Sequence, residues 1–259
     1  MKKILLPLTL STFLMADVAV TDVAEKYTSK STAIKAVEKP VQSVDIGFAN
    51  TSGNTKTLNL NAKYSLAHQI ESQNYEPFKY NFQATGYLSK DQGTKTAEEY
   101  TALLNGEQEL VNQWLAYSTV GWLRNQFKNF DNKFSLAAGI GKILIDNAKH
   151  HLVVKLGPAY NIEQYSNSQA TARFGSLNEY LEYTNKLNAF SNLFVKLGAM
   201  ENFEDMGRDY ETTGVLGLDF ALNENVHVSI QEELNYDNLP AVGFGKTDTK
   251  SIVSVGYKF

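Results

Sequence analysis

The sequence predicts an all-β fold, an antiparallel transmembrane β-barrel of about twelve strands, and three observations support this prediction. Apolar and polar residues alternate over long segments from residue 41 to the end of the chain. The 259 residues include 14 Phe, 14 Tyr and 2 Trp, more aromatic side chains than an ordinary soluble core needs. No apolar stretch reaches the length of about 18 residues expected of a transmembrane helix, which excludes a bundle of membrane helices.

The first residues have the pattern of a secretory signal peptide. Lys2 and Lys3 precede an apolar run that ends in a small residue, Ala16, and the run is too short to span a bilayer. We therefore predict a signal peptide at residues 1–16 and a flexible periplasmic leader at residues 17–40. Removing the signal takes away two lysines and no acids, so 24 basic residues become 22 against 28 acidic ones, a net charge of −6. An exported chain without Cys depends on packing or on the membrane for its stability.

Residues 41–259 are predicted to form the barrel, because their alternation has a period of two. In residues 57–66, Leu60, Ala62 and Tyr64 share one face, while Asn61 and Lys63 share the other. Successive side chains of a strand point to opposite faces, so such segments have one apolar and one polar face. The same pattern recurs in residues 78–85, 152–162 and 226–236.

The length of these segments favours a membrane barrel over a soluble sandwich. Strands of soluble proteins usually have about five or six residues, whereas a tilted strand needs about 9–11 residues to cross a bilayer. A sandwich would also show turn signals about every 8–12 residues, but here strand and connection together repeat about every 18 residues. In a membrane barrel the apolar face meets lipid and the polar face lines the interior.

Turn-forming residues give a strand count of twelve. An Asn-Gly pair, Asn105-Gly106, predicts a tight hairpin turn at residues 104–107. If the poorly alternating residues 94–104 were a loop, ten strands would be the alternative. Successive connections of an antiparallel barrel lie at alternate ends. If the last strand ends in the periplasm, the short turns fall at the periplasmic end and the longer loops outside, as in known outer-membrane barrels. The eleven predicted connections are residues 51–54, 69–76, 90–93, 104–107, 125–132, 146–149, 166–176, 186–188, 202–209, 223–225 and 237–248.

Charged residues on the polar faces are expected to line the lumen. They are Lys63, Lys79, Lys155, Asp219 and Glu233. Two interpretations remain open: the charges pair and plug a narrow interior, or they line a water-filled path for small solutes. A barrel of about twelve strands lies between filled barrels of eight strands and open barrels of sixteen, so size does not decide between them.

The final residues are predicted to be an assembly signal. Val253, Val255, Tyr257 and Phe259 share one face, and the chain ends on an aromatic residue. Tyr257 and Phe259 are therefore the expected contacts of the barrel-assembly machinery. Other aromatic residues near strand ends are expected to form girdles at the two lipid interfaces.

Three segments carry further motifs: the hairpin at residues 45–57 contains Gly53, Asn54 and Thr55; residues 236–240 contain Asp237 and Pro240; residues 246–249 contain Asp248. Together they resemble a known family of Gram-negative bacteria, the YdiY-like salt-induced outer-membrane proteins, whose domain has no known function. The resemblance extends over about residues 43–259. It implies an outer-membrane location and a link to salt or osmotic stress, and it carries no catalytic residues.

The sequence offers little evidence for chemistry. His227 and Ser229 have the spacing of a His-x-Ser pair, which some outer-membrane lipid hydrolases use, but alternation turns both toward the lumen, away from lipid. His150 and His151 point to opposite faces and are not expected to share a metal. Phosphate-binding glycine loops and basic patches are absent from the sequence, so nucleic-acid binding has no support.

The sequence thus predicts a bacterial outer-membrane barrel that is not an enzyme and needs no cofactor or metal. Its function is expected to be that of a small-solute pore or of an envelope protein linked to salt stress. A plugged structural or adhesive barrel is the alternative, and a lipid hydrolase using His227 and Ser229 is a second one. Expected partners are outer-membrane lipids, lipopolysaccharide and the barrel-assembly machinery, and closure of the barrel favours a monomer.

Overall fold

A computed structural model describes residues 39–52, 58–71, 76–91, 94–240 and 244–259. The predicted signal peptide, most of the predicted leader, and Gly53, Asn54 and Thr55 lie outside these ranges, so predictions about their structure stay predictions. Within the ranges, no helix has the length and apolar character needed to cross a membrane.

Twelve antiparallel strands form one closed barrel. Each strand pairs with its neighbours in the sequence, and β1 pairs with β12 over ten residue pairs, from Ser43 opposite Lys258 to Ser52 opposite Thr249. The strand count and the antiparallel topology predicted from the sequence are therefore confirmed. The strands are β1 (Val41–Ser52), β2 (Leu58–Ile70), β3 (Phe78–Asp91), β4 (Thr94–Glu109), β5 (Trp114–Asn125), β6 (Phe130–Asp146), β7 (His150–Tyr165), β8 (Ala172–Lys186), β9 (Ser191–Asn202), β10 (Tyr210–Ala221), β11 (Val226–Asp237) and β12 (Thr247–Lys258).

The two ends of the barrel differ in their connections. We call the end that holds Val41 and Lys258 the terminal end, and the other the distal end. The terminal end has short turns at residues 110–113, 147–149, 187–190 and 222–225 and a longer connection at residues 71–77. The distal end carries the longer connections at residues 166–171, 203–209 and 238–246. These connections follow the predicted alternation of short turns and long loops, whereas the two-residue connection between β3 and β4 at the distal end and residues 71–77 at the terminal end do not.

The turn predicted at residues 104–107 is wrong, because β4 continues through Asn105-Gly106 to Glu109. The Asn105 amide donates to Asn81 Oδ1 at 2.9 Å and accepts from Thr119 Oγ1 at 2.8 Å, so the neighbouring strands satisfy it inside the barrel. Gly106 faces outward, where the ring of Phe78 occupies the space of a Cβ. The chain turns instead at residues 110–113, where Asn112 has a φ of 55°.

The outer face is apolar and the inner face is largely polar. Side chains that alternate with the buried ones are exposed on the outside, among them Leu60, Leu104, Val120, Leu136, Ile140, Leu156, Leu216, Ile230, Val253 and Val255. Buried inner positions carry Asn, Gln, Ser, Thr, Lys and Glu, with a smaller apolar cluster of Leu115, Ile143 and Val153 near the terminal end. This inverted distribution is that of a barrel embedded in lipid.

Candidate functional site: the charged lumen

All five charged residues predicted to line the lumen lie on the inner face. Lys63, Lys155, Asp219 and Glu233 are largely buried inside the barrel. Lys79 lies near the terminal end, half-buried, with its Nζ 3.9 Å from Glu109 Oε2. The alternation of the strands gives the face on which each side chain lies, but it does not reveal the partner of that side chain.

Several ion pairs cross the lumen. Lys250 on β12 lies 3.2 Å from Glu99 on β4, four strands away around the ring. Lys133 on β6 lies 3.3 Å from Glu211 on β10, also four strands away. Lys155 on β7 pairs with Glu107 on β4, three strands away. In a ring of twelve strands these separations are a quarter to a third of the circumference, so the partners reach each other through the interior and not along the wall.

The charged groups of these pairs are shielded from water. The side chains of Lys250 and Glu99 are 6% and 5% exposed, and that of Lys133 is 3% exposed. Lys133 also contacts Glu163 on the adjacent strand at 2.7 Å, and Lys250 lies 3.8 Å from Glu233. A wide aqueous channel would leave such groups hydrated. At this level, therefore, the charged groups are paired with one another and have little exposed surface.

A further ion pair spans the distal mouth. Lys128, in the short turn between β5 and β6, lies 3.1 Å from Asp248 at the start of β12, on the far side of the ring. Asn125 accepts from the Lys128 amide at 3.1 Å and donates to Glu99 at 2.7 Å, linking the turn to the layer below. Burial alone would lower the pKa of Lys128, but the Asp248 carboxylate holds that pKa above the ordinary lysine value.

Toward the terminal end, apolar side chains join the charged ones in the interior. Phe194 on β9 is 1% exposed, and its ring occupies the space that a side chain at Gly217 would need. Glu182 lies opposite Val153 on β7 and opposite Lys196 on β9, and it is 2% exposed. Neither of its carboxylate oxygens has a hydrogen-bond partner among the described residues. This part of the interior therefore contains both apolar and charged side chains.

The residues of the family motifs have separate structural roles where the structure describes them. Asp237 accepts from the Leu239 amide at 2.9 Å, and its own amide donates to Lys246 O at 2.8 Å, so it shapes the loop that contains Pro240. Asp248 is the partner of Lys128 at the mouth. At the chain end, Tyr257 and Phe259 are exposed and stacked, with ring centroids 6.4 Å apart.

The histidines singled out in the sequence have separate partners in the barrel. His227 and Ser229 both face the lumen, and Ser229 is 1% exposed with no hydrogen-bond partner for its hydroxyl among the described residues. His227 instead contacts Asp45 at 2.7 Å. His150 contacts the Tyr183 hydroxyl at 2.8 Å and His151 contacts Asp146 at 3.2 Å, so the two rings have different partners.

Two carboxylates on the outer face escaped the sequence analysis. Glu232 is exposed on β11 between Ile230 and Leu234, and Glu179 lies at the middle of β8 between Leu177 and Leu181. Their position follows from the same alternation that put Glu233 and Glu182 inside. Strict counting of odd and even positions could have found them.

A ring of twelve antiparallel strands, apolar outside and charged inside, defines a β-barrel of the outer-membrane type. The chain belongs to the DUF481 family of proteins of unknown function, whose family model matches residues 44–259. The resemblance seen in the sequence motifs is thereby confirmed. The uncharacterized protein YdiY of Escherichia coli strain K12 is 21% identical over 233 residues, which cover 86% of this chain and 84% of YdiY.

Solved outer-membrane proteins have a similar fold. An outer membrane channel from Pseudomonas putida F1 superimposes with a TM-score of 0.58 and 10% identity, covering 90% of this chain and 100% of the channel. Outer membrane phospholipase A from Escherichia coli superimposes with a TM-score of 0.51 and 12% identity, covering 83% of this chain and 95% of the phospholipase. At these identities the similarity establishes the fold alone.

Proposed function

We propose that this protein resides in the bacterial outer membrane as a channel closed at rest, which passes small ions only when the ion pairs in its lumen separate. The observation that carries the proposal is the Lys250–Glu99 pair, which joins strands four positions apart in the ring while both side chains are nearly buried. An apolar outer wall and the closed ring of strands support the location in a membrane.

A lumen closed by ion pairs differs physically from a permanently packed one. Replacing buried ion pairs by well-packed apolar residues is often neutral or stabilising, so charges are not the most stable way to fill an interior. When such a pair separates, both groups can be hydrated, and a polar path opens along the wall. The arrangement therefore favours a channel that passes ions only when the ion pairs separate, over both a permanently open pore and a permanently plugged barrel.

Planar-bilayer recordings test this proposal. We expect purified wild-type protein to be electrically silent, and the Lys250→Ala/Lys133→Ala variant to show steady conductance steps, because it lacks two lysines that cross the lumen. Lys142→Ala is the matched control, since Lys142 lies on the outer face, 5.1 Å from the ring of Trp114. Steady wild-type conductance would indicate an open pore, and a silent double variant would indicate a permanent plug; either result contradicts the proposal.

We also propose that the barrel is not a lipid hydrolase. Ser229 is buried and faces the lumen, and its hydroxyl has no hydrogen bond to His227 or to any other described residue. Purified wild-type protein and Ser229→Ala should give the same background with a phospholipid substrate. Wild-type hydrolysis that disappears in Ser229→Ala would contradict this.

For partners, the geometry supports a monomer surrounded by outer-membrane lipids and lipopolysaccharide, because closure leaves no free strand edge for pairing. Assembly by the barrel-assembly machinery and induction by salt stay predictions that rest on the C-terminal residues and on the family resemblance. Light scattering of the detergent-solubilised protein measures its oligomeric state and so tests the monomer. Comparing the amount of the protein in cells grown at low and high salt tests the induction by salt.

A further inference from the structure

We propose that His227, Asp45 and Lys63 form a clasp that holds the closing seam of the barrel shut from the inside, and that Gly256 lets this clasp cross β12. The seam is the pairing of β1 with β12, where the first and last strands meet. The clasp concerns the closure of the barrel wall. It can therefore be tested separately from the passage of ions through the lumen.

The clasp connects four consecutive strands of the ring. His227 on β11 donates from Nε2 to Asp45 Oδ1 on β1 at 2.7 Å. The other carboxylate oxygen of Asp45 lies 3.2 Å from Lys63 Nζ on β2. His227 and Asp45 are 182 positions apart in the sequence, and β12 lies between their strands. This contact therefore forms only when the barrel has closed.

Gly256 occupies the point where the clasp crosses β12. It lies opposite Asp45 in the β1–β12 register and opposite His227 in the β11–β12 register. A Cβ at this position would overlap both Asp45 Oδ1 and the His227 ring. Without a side chain, Gly256 leaves the inner surface of β12 open, so the imidazole and the carboxylate can meet above it.

Burial makes the clasp sensitive to the loss of either partner. The side chains of Asp45 and Lys63 are 4% and 6% exposed, and that of His227 is 14% exposed. Hydrogen bonds to charged groups are stronger where water is excluded, and removing one partner leaves a buried charge uncompensated. The clasp lies near the terminal end, where strands fray most readily, so it is placed to suppress local opening of the seam.

Hydrogen–deuterium exchange of the full-length protein in detergent micelles tests the clasp. In His227→Ala and Asp45→Asn we expect amides of β1 and β12 around Asp45 and Gly256 to exchange about tenfold faster, while β6 and β7 exchange as in the wild type. His227→Gln keeps an N–H donor and should lose less protection than His227→Ala. Ser229→Ala is the matched control, because Ser229 is buried on the same strand and face, and it should change nothing.

Two glycine variants test the crossing point. Gly256→Ala should reproduce the local loss of protection at the seam. Gly214→Ala should not, since a Cβ there would meet its nearest neighbour, Leu197, at an ordinary 3.6 Å. Unchanged exchange at the seam in His227→Ala and Asp45→Asn, or an equal increase in all strands, would overturn the proposal.

A disulfide across the seam keeps the test decisive if a variant assembles poorly. The chain has no Cys, so an Ile46→Cys/Val255→Cys pair, opposite in the β1–β12 register, can be oxidised without competing thiols. In the His227→Ala background, oxidation should restore the yield of assembled barrel and the protection of the seam, and reduction should remove both. A variant that stays unprotected when oxidised would show that His227 acts elsewhere than at the seam.

Discussion

Glu232 and Glu233 are adjacent in β11 but lie on opposite faces of the barrel wall. Glu232 is exposed among apolar side chains of the outer face, whereas Glu233 is 1% exposed inside, 3.8 Å from Lys250 Nζ. Two identical side chains, one position apart, therefore have opposite environments. The pair provides a direct test of which face meets lipid.

Leucine substitutions at these two positions should have opposite effects. A carboxylate on the lipid-facing surface is unfavourable, so Glu232→Leu should raise the free energy of unfolding by up to about 2 kcal/mol. Glu233→Leu removes one of two carboxylates near Lys250 and the acceptor of the Asn235 amide, and should lower it by about 1–3 kcal/mol. Denaturant unfolding in lipid vesicles, followed by tryptophan fluorescence, measures both. A change of the same sign in both variants would contradict the assignment of faces.

The Lys155–Glu107 pair should show strong coupling in a double-mutant cycle. Lys155→Met alone leaves Glu107 buried without its partner and should cost about 3–5 kcal/mol. Lys155→Met/Glu107→Gln should cost less than the sum of the single variants, because neither residue then carries a buried charge. Additive single and double values in the same unfolding assay would show that the two side chains do not depend on each other.

Gly217→Ala should destabilise the barrel by about 1–3 kcal/mol, because the added methyl group overlaps the ring of Phe194. Gly214→Ala on the same strand is the control and should change the free energy of unfolding by less than about 0.5 kcal/mol. Phe194→Leu should recover part of the loss in the Gly217→Ala background. Equal effects of the two glycine variants would contradict the proposed packing.

The contribution of the Lys128–Asp248 pair should disappear at alkaline pH. The pKa of Lys128 is higher in the folded protein than in the unfolded chain. The stabilisation that protonated Lys128 contributes is therefore fully present below the unfolded pKa of about 10.4, and it is lost as the pH rises through the raised folded pKa. The difference in stability between the wild type and Lys128→Met should therefore be constant from neutral pH to about pH 10 and shrink above it. A difference that already falls near neutral pH would refute this.

The C-terminal residues should govern assembly rather than stability. Tyr257 and Phe259 stack on the outer face of the last strand, so Phe259→Ala should lower the amount of heat-modifiable barrel in cells without abolishing its refolding in detergent. Lys258→Ala changes an inward-facing neighbour and serves as the control. If both variants assembled like the wild type, the predicted assembly signal would be wrong.

Local regularity explains why so much of the fold could be predicted. A strand exposes alternate residues to opposite sides, so the inward positions of Lys63, Lys155 and Glu233 follow from counting along the chain. The turn predicted at Asn105-Gly106 was wrong, because the pair only favours the positive φ angles of a tight turn, and here both residues continue the strand β4. Asn81 and Thr119 bind the Asn105 amide from strands that are distant in the sequence.

The sequence by itself determined the class of fold, the number of strands and the face on which most side chains lie, because these depend on interactions within one strand and its nearest turns. Only the tertiary structure decided which lumen residues meet, as with Lys250 and Glu99 or His227 and Asp45. Those contacts depend on closing the ring, which brings together strands that lie far apart in the sequence. Ring closure also decided that several buried charges of the interior are paired across strands that are not neighbours.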